Sequence, residues 1–303
     1  MPNAKALVER IRRTNAAADS KGEVHLTHAV ISAPWISGKE IGAMAQEFPE
    51  IVFVVVSHSN VGFLSADPSA IHILREVVDM QMMYHNVYVG GNSHKFTDWA
   101  SEAWGVNAIC LPNLYSTENI FPHHHQNWRG GPLRIGLFGA NRPLKNRLTG
   151  AAAAVELSAR LRVPVELVIT NGRNEGGNNK ALEELTNGVP SFSICYTGWL
   201  AWPEFRRLLR SIDLVMQVSY TESFNVVAAD AVAEGIPVVV SDAIDWLPHH
   251  WRAHADEPRD VTRVAESLLR DPNTAREGLR ALERYVERGV EAWRRFLVAP
   301  LDS

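Results

Sequence analysis

The chain carries only two cysteines, Cys110 and Cys195, in 303 residues. That is too few for the disulfide framework on which small secreted domains depend. Both lie inside apolar, strand-like runs, where a cysteine reads as a small core residue, and this suits a reducing compartment. Long apolar runs are also missing. None approaches the roughly 20 residues that cross a bilayer, so no transmembrane helix is expected. The opening stretch, Met1 to Asp19, is amphipathic and Arg-bearing and has no apolar signal-peptide core, so a cytoplasmic protein is expected. No charge sign dominates: 30 Lys/Arg stand against 34 Asp/Glu, a net −4. Residues 1–130 hold 9 basic and 12 acidic side chains (−3) and the remainder 21 and 22 (−1), so neither half is polarised. This argues against a broad nucleic-acid footprint and leaves one local basic patch, Arg10, Arg12, Arg13 and Lys21, which fits a solvated helix face at least as well. No repeat of fixed period and no low-complexity tract occurs.

What is present is alternation. With 46% apolar residues and 21% charged, the composition is that of a globular protein, and the length allows roughly two domains. In the first half, strands are predicted over Val24–Ile31, Ile51–Ser57, Asn86–Gly90 and Val106–Leu111, and helices over Ala70–Tyr84 and Lys95–Trp104. The β-branched run Ile51–Ser57 predicts a strand buried on both faces. From Tyr115 to Pro132 the pattern lapses around Pro122, His123–His125 and Gly130–Gly131, which marks a linker. It then restarts with strands over Leu133–Phe138, Val165–Thr170, Phe192–Tyr196, Ile212–Ser219 and Ile236–Ser241. Helices are predicted over Leu148–Arg160, Pro203–Arg210, Asn225–Glu234, Val261–Arg270 and Asn273–Leu297, the last long enough to cross back onto the first domain. Strand–helix alternation of this kind implies two α/β domains with parallel sheets, whose ligands sit outside the strands' carboxyl ends.

The strongest local signal is Thr221-Glu222-Ser223-Phe224-Asn225, leading to Asp230 and then to Ala233-Glu234-Gly235-Ile236-Pro237-Val238-Val239-Val240-Ser241. Glu222 follows an apolar strand and so falls at its carboxyl edge. Asn225 is placed to cap the next helix, whose free amides and dipole favour a diphosphate. Asp230 lies eight residues after Glu222, inside that helix, and two acids so placed can take hydroxyls at opposite ends of one ligand. An ordinary packing helix preceded by a turn fits the same spacing.

Residues 222–241 resemble the signature of the family-four, glycogen-synthase-like retaining glycosyltransferases. That signature runs Glu-x-Phe-Gly, with seven residues between its first acid and a second, then Ala-x-x-x-Gly-x-Pro-Val-Val. Other segments fall in the order that family uses. Leu133–Lys145 resembles a strand and glycine loop leading to a basic residue on the donor pyrophosphate. Val165–Gly172 and Tyr196–Leu200 resemble segments facing the nucleotide, and Val56–Ser59 a strand-end histidine on the acceptor side. Ile109–Asn113 resembles the segment entering the linker. Three positions and one segment depart from the pattern: Asp230 where glutamate is usual, Asn225 where glycine is usual, Ala140 in place of an arginine for which Arg142 or Arg147 stands nearby, and Ser37-Gly38-Lys39 as a weak match to the first glycine loop.

The resemblance implies a GT-B fold: two Rossmann-like domains, 1–118 and 133–285, with parallel sheets facing a cleft, a linker over 119–132, and a C-terminal helix, 286–303, packed on the first domain. It implies a retaining transfer of a sugar from a nucleotide-diphosphate sugar, UDP-linked, to a hydroxyl of a soluble acceptor. By analogy and by chemistry, His58, Glu222 and Lys145 are the catalytic candidates: Lys145 with Arg142 on the diphosphate, Glu222 on the sugar, His58 as an orienting group. Gly139, Thr170, Asn171, Gly198, Trp199, Leu200, Ser223, Phe224, Asn225 and Asp230 complete the donor side, with Asp230 on the ribose. Ser37, Gly38, His58, Ser59 and Asn60 form the acceptor side. No cofactor and no metal are expected. His123–His125 is a poor metal motif, since adjacent histidines seldom converge on one ion. Gly172–Gly177 lacks the dinucleotide fingerprint. The nine tryptophans read as core, apart from Trp199 and Trp202 beside the expected nucleotide. The acceptor is left open, and a hydroxymethylated pyrimidine in DNA is one candidate. A non-catalytic nucleotide-sugar-binding protein and a nucleotide-sugar epimerase of the same fold are alternatives.

Overall fold

The computed structural model describes residues 3–21, 25–116 and 131–298, so most of the expected linker, with His123–His125, lies outside the described residues. The chain forms two compact units, Met1–Leu114 with Arg288–Ser303, and Tyr115–Glu287.

The first unit runs α1 (Ala4–Lys21), β1 (His28–Ser32), α2 (Gly38–Glu47), β2 (Val52–Ser57), α3 (Val61–Leu64), α4 (Pro68–Met83), β3 (Val87–Gly91), α5 (His94–Trp104) and β4 (Ile109–Cys110). The strands pair in parallel in the order β1-β2-β3-β4. An unreversed order with right-handed crossovers puts the connecting helices on one face. There, Ile31, Phe53, Val55, Val87 and Val89 pack with Ile41, Met44, Leu74, Val78 and Phe96. The alternate residues Val54, Val56 and Tyr88 point the other way, as the period of two requires, and pack with Leu111 and Phe296. Phe296 comes from α11 (Thr274–Val298), the last helix of the chain, which also ties Trp293 Nε1 to the Pro112 carbonyl at 2.8 Å. β2 is therefore buried on both faces, as its β-branched run predicts.

Helix α2 has no counterpart among the predicted elements. Its glycines weaken the helical pattern, yet they are what lets it lie on α4: a Cβ on Gly38 would stand 2.7 Å from Glu76 Cβ, and one on Gly42 2.9 Å from Met80 Sδ. Ser37 and Glu40 close a capping box at its start. The strand predicted over Val106–Leu111 shrinks to Ile109–Cys110, the two residues that pair in register at this sheet edge, with Gly90 and Gly91; Leu111 N–H adds a last bond to the Gly91 carbonyl at 2.8 Å. Cys110 and Cys195 are half-buried free thiols at strand positions and do not belong to the fully buried core.

The second unit runs β5 (Leu133–Leu137), α6 (Arg147–Leu161), β6 (Val165–Thr170), α7 (Asn179–Thr186), β7 (Phe192–Thr197), α8 (Trp202–Leu209), β8 (Leu214–Gln217), α9 (Val226–Ala233), β9 (Val238–Ser241), β10 (Arg252–Ala253), α10 (Pro258–Arg270) and the start of α11. Its parallel sheet has the order β7-β6-β5-β8-β9-β10. Counted within the unit this is 3-2-1-4-5-6, the doubly wound dinucleotide-binding order. Small side chains let α9 lie close to the sheet: Ala228, Ala229, Ala231 and Ala233 are all buried.

Candidate functional site

In a sheet of order 3-2-1-4-5-6 the strand sequence reverses between the first and fourth strands, and two connections leave that point on opposite faces, opening a crevice at the carboxyl edge. Here those strands are β5 and β8. The chain leaves β5 through Gly139, whose φ of 104° is open to glycine. Thr170, at the end of β6, fixes this turn: Gly139 N–H donates to Thr170 Oγ1 at 3.0 Å and the threonine hydroxyl donates back to the Gly139 carbonyl at 2.9 Å. Buried Arg147 braces it from behind, giving Nη2 to the carbonyls of Gly139 and Thr170. It therefore does not replace the missing arginine on the ligand side, and burial lowers its pKa. The loop ends in a 3₁₀ turn, Pro143–Lys145, which is sewn to the end of β8. Tyr220 N–H donates to the Leu144 carbonyl at 3.0 Å, and Asn146 Nδ2 donates to the Val218 carbonyl at 3.0 Å.

This stitching brings together two residues 77 positions apart: Lys145 Nζ lies 2.5 Å from Glu222 Oε1. Their side chains keep 17% and 11% of their surface open, so the pair is sheltered but reachable. Asn225 stands at φ 64°, in the left-handed region that Asn tolerates best after Gly. It thus keeps the backbone a glycine would adopt and adds a cap: its Oδ1 accepts from Ala228 N–H at 2.9 Å, as predicted. Its Nδ2 donates to Gln217 Oε1 at 3.0 Å and to Glu222 Oε1 at 3.1 Å, which fixes the catalytic candidate's carboxylate.

Other candidates are placed differently from expectation. Phe224 does not present its ring to a ligand. It is 3% exposed and stacks on Tyr285 at 4.7 Å, with Trp246 at 5.6 Å, because an aromatic ring is better accommodated in that cluster than in water. Asp230 is buried, with 3% exposure, and its Oδ1 accepts from Tyr115 Oη at 2.7 Å and Trp202 Nε1 at 3.0 Å. Desolvation raises the pKa of its carboxyl, and the burial and nearby charge raise that of the Tyr115 phenol. One turn further along, buried Glu234 is clamped by Arg206 and Arg210. Arg142 is ion-paired with Glu175, which also takes Arg173. Asn171 closes its own turn, Oδ1 accepting from Gly172 N–H at 2.9 Å. Gly198 and Trp199 are exposed and Leu200 and Ser223 half-buried, with the Arg173 guanidinium 5.5 Å from the Trp199 ring centre.

In the first unit, Ser37 caps α2 and Gly38 N–H is spent on Glu76 Oε2 at 2.7 Å, so these two hold helices together. Asn60 is buried at the start of α3, and Ser59 N–H turns back onto Ser57 Oγ at 3.2 Å. His58 is exposed beyond β2, its Nε2 2.8 Å from Ser32 Oγ and its Nδ1 3.3 Å from Asn92 Nδ2. Partial burial lowers its pKa. Ser32, Asn92 and Asn113 were not among the sequence candidates. The available signal is that each is a polar residue at or just beyond an apolar run. In the basic patch, Arg12 pairs with Glu47 and Arg13 lies 3.6 Å from Glu9; the Lys21 side chain is outside the described residues. Among the described residues, no group of three or more His, Cys, Asp or Glu side chains is placed to hold a metal ion, and no helix is long and apolar enough to cross a membrane.

Residues 133–271 match the family described as Glycosyl transferases group 1. No curated protein matches the sequence. Among solved structures, a variant of TarM from S. aureus in complex with UDP, fondaparinux and alpha-GlcNAc-glycerol is similar at TM-score 0.63 and 17% identity, over 85% of this chain and 54% of that one. HepE from Anabaena in complex with UDP and glucose gives 0.62 and 19%, over 88% and 76%. Sucrose-phosphate synthase from Thermosynechococcus elongatus gives 0.64 and 14%, over 98% and 79%. The chain thus spans about half the length of the TarM chain and about three quarters of the other two. The fold is that of the GT-B glycosyltransferases. The family match covers residues 133–271, a little under half of the chain.

Proposed function

We propose that the protein transfers a sugar from a nucleotide-diphosphate sugar, UDP-linked, to a hydroxyl of a soluble acceptor, with retention of anomeric configuration. The observation that carries this reading is the Lys145–Glu222 pair at the switch point of the second sheet, beside Gly139 and the capped start of α9. In the ligand-free protein each charge neutralises the other. A diphosphate arriving at Lys145 and the α9 amides competes for the ammonium and releases Glu222 to accept a hydroxyl of the sugar. As the bond to the leaving diphosphate breaks, charge grows on its oxygens, where the ammonium and the helix dipole stabilise it without a metal. That HepE and TarM were solved with UDP supports the choice of base. His58 serves on the acceptor side as an orienting group, and Asp230 acts toward the ribose from a buried position set by Tyr115 and Trp202.

The test begins with donors alone. Mass spectrometry of UDP-, GDP- and ADP-sugars incubated with the protein is expected to show slow hydrolysis of a UDP-sugar, faster with acceptor. A binding protein releases no nucleotide, and an epimerase yields a new nucleotide sugar without acceptor. Lys145→Ala is expected to weaken the donor by about ten- to hundredfold, the worth of one charge-assisted contact. Glu222→Ala frees Lys145, so bare UDP binds at least as tightly while turnover falls steeply. If Glu222→Ala loses UDP while Lys145→Ala keeps it, the roles assigned to the pair are wrong.

A further inference from the structure

Lys145 and Glu222 come from two loops, and each loop is fixed to the end of β8 by a buried asparagine in the left-handed region. Asn146 follows Lys145 at φ 53°, and Asn225 stands three residues after Glu222 at φ 64°. Asn146 Nδ2 donates to the carbonyls of Val218, at 3.0 Å, and Ala255, at 2.6 Å, and its Oδ1 accepts from Thr149 Oγ1 at 2.8 Å. Asn225 reaches instead the side chain of Gln217, the last residue of β8. Gln217 is 4% exposed and Asn225 6%, so water does not compete for their bond.

The link from β8 to Glu222 has only one sense. Gln217 Nε2 donates to the carbonyls of Phe138 and Met216, at 3.2 and 3.0 Å, which turns its Oε1 toward Asn225. Phe138 is the first residue beyond β5, so the link is anchored at the switch point itself. Asn225 Oδ1 is taken by the Ala228 N–H, which turns Nδ2 toward Gln217 and Glu222 together. Each amide is thus oriented by a backbone partner, and the two hydrogens of Asn225 Nδ2 have one acceptor each. A glycine at this position, as in the signature that the sequence resembles, allows the same backbone and makes neither bond.

On Glu222, amide and ammonium share one oxygen: Oε1 lies 2.5 Å from Lys145 Nζ and 3.1 Å from Asn225 Nδ2. A carboxylate oxygen has two acceptor positions. We propose that Gln217 and Asn225 are positioning residues for Glu222. They hold Oε1 in place when a diphosphate draws Lys145 away, and a hydroxyl of the transferred sugar takes the position that the ammonium leaves. Asn146 does the corresponding work for Lys145. The proposal rests on the transferase reading above and adds what keeps its acid aimed. Without the amide, a released glutamate has its side-chain torsions to order again at each turnover, which raises the barrier and leaves nucleotide affinity alone.

The test uses the full chain, with UDP as the probe of binding and release of UDP from a UDP-sugar as the probe of turnover. Asn225→Gly keeps the backbone conformation and removes both side-chain bonds. Its kcat is expected to fall about tenfold, while the Kd for UDP stays within about twofold. Gln217→Met, which takes one acceptor from Asn225, is expected to lower kcat by a smaller factor, again with UDP affinity kept. Asn146→Gly is expected to do the reverse, weakening UDP about tenfold with a smaller change in kcat at saturating donor. Loss of folded protein alone lowers the active fraction and produces no such opposite split; melting temperatures of the three variants measure it. A crystal structure of the unmodified protein with UDP is expected to show Lys145 on the diphosphate and Asn225 still bonded to Glu222. Unchanged kcat in Asn225→Gly, weakened UDP in that variant, or a UDP complex in which Glu222 has left Asn225 overturns the proposal. If no UDP-sugar releases UDP while the UDP complex keeps the Asn225–Glu222 bond, the transferase reading fails and the positioning of Glu222 stands.

Discussion

Asp230 carries a carboxylate in a place where charge is costly. Its Oδ1 has two protein donors, Tyr115 and Trp202, and desolvation still raises its pKa. A carboxyl whose folded pKa lies above its unfolded value contributes stability that is complete below the unfolded value and is lost as pH rises through the folded one. Compared with Asp230→Asn, which cannot ionise, the unmodified protein is therefore expected to lose ground as the pH rises above the ordinary aspartate range, about 4. Urea denaturation of both proteins across that range measures it, and a gap that moves the other way refutes the burial argument. Asp230→Ala leaves the Tyr115 hydroxyl and the Trp202 indole N–H without their acceptor, at about 1–3 kcal/mol for each group that stays buried. Donor affinities measured on that variant need correction for partial unfolding, and Asp230→Asn is the better probe of a role at the ribose.

Among the elements, α11 has the most to hold. It starts in the second unit and ends in the first, where Phe296 and Trp293 cover the sheet face opposite α2, α4 and α5. Without it, Val54 and Val56 of β2 would meet water, an arrangement that a parallel sheet avoids. Phe296 is 5% exposed and packs on those valines. Phe296→Ala is expected to destabilise the first unit by about 3–5 kcal/mol, the range for deleting a buried aromatic side chain. Hydrogen exchange resolved by segment checks it: protection should fall in β1–β4 and persist in β5–β10. Equal loss in both sheets would show that α11 supports more than the face it touches.

For the whole molecule, the second unit contains a complete doubly wound sheet, its own core, and the Lys145–Glu222 pair within Tyr115–Glu287. The first unit, in contrast, is built from two separated stretches of chain. Residues 115–287 expressed alone are expected to unfold cooperatively and to bind UDP as tightly as the full chain, since every donor contact proposed above lies inside that segment. Calorimetric titration of both proteins with UDP measures this. A fragment that folds but binds much more weakly would mean that part of the donor site comes from residues outside 115–287.

Much of this was legible in the amino-acid order. The β-branched run before Ser57, the restart of alternation at Leu133 and the cap at Asn225 are local features, because strand burial, helix period and capping depend on neighbours in the chain. Sequence also placed Glu222 and Lys145 each at a strand's carboxyl edge, since both follow apolar runs. Helix α2 was missed because its glycines oppose helix formation locally and are explained only by close packing on α4. The inward turn of Phe224, the capture of Asp230 by Tyr115, 115 positions away, and the hydrogen bonds that link Ser32, His58, Asn92 and Asn113 were also beyond reach. Those depend on which strand ends lie side by side. Strand order is set by the crossover connections and the packing of distant apolar faces, a property of the folded chain that no window of sequence contains.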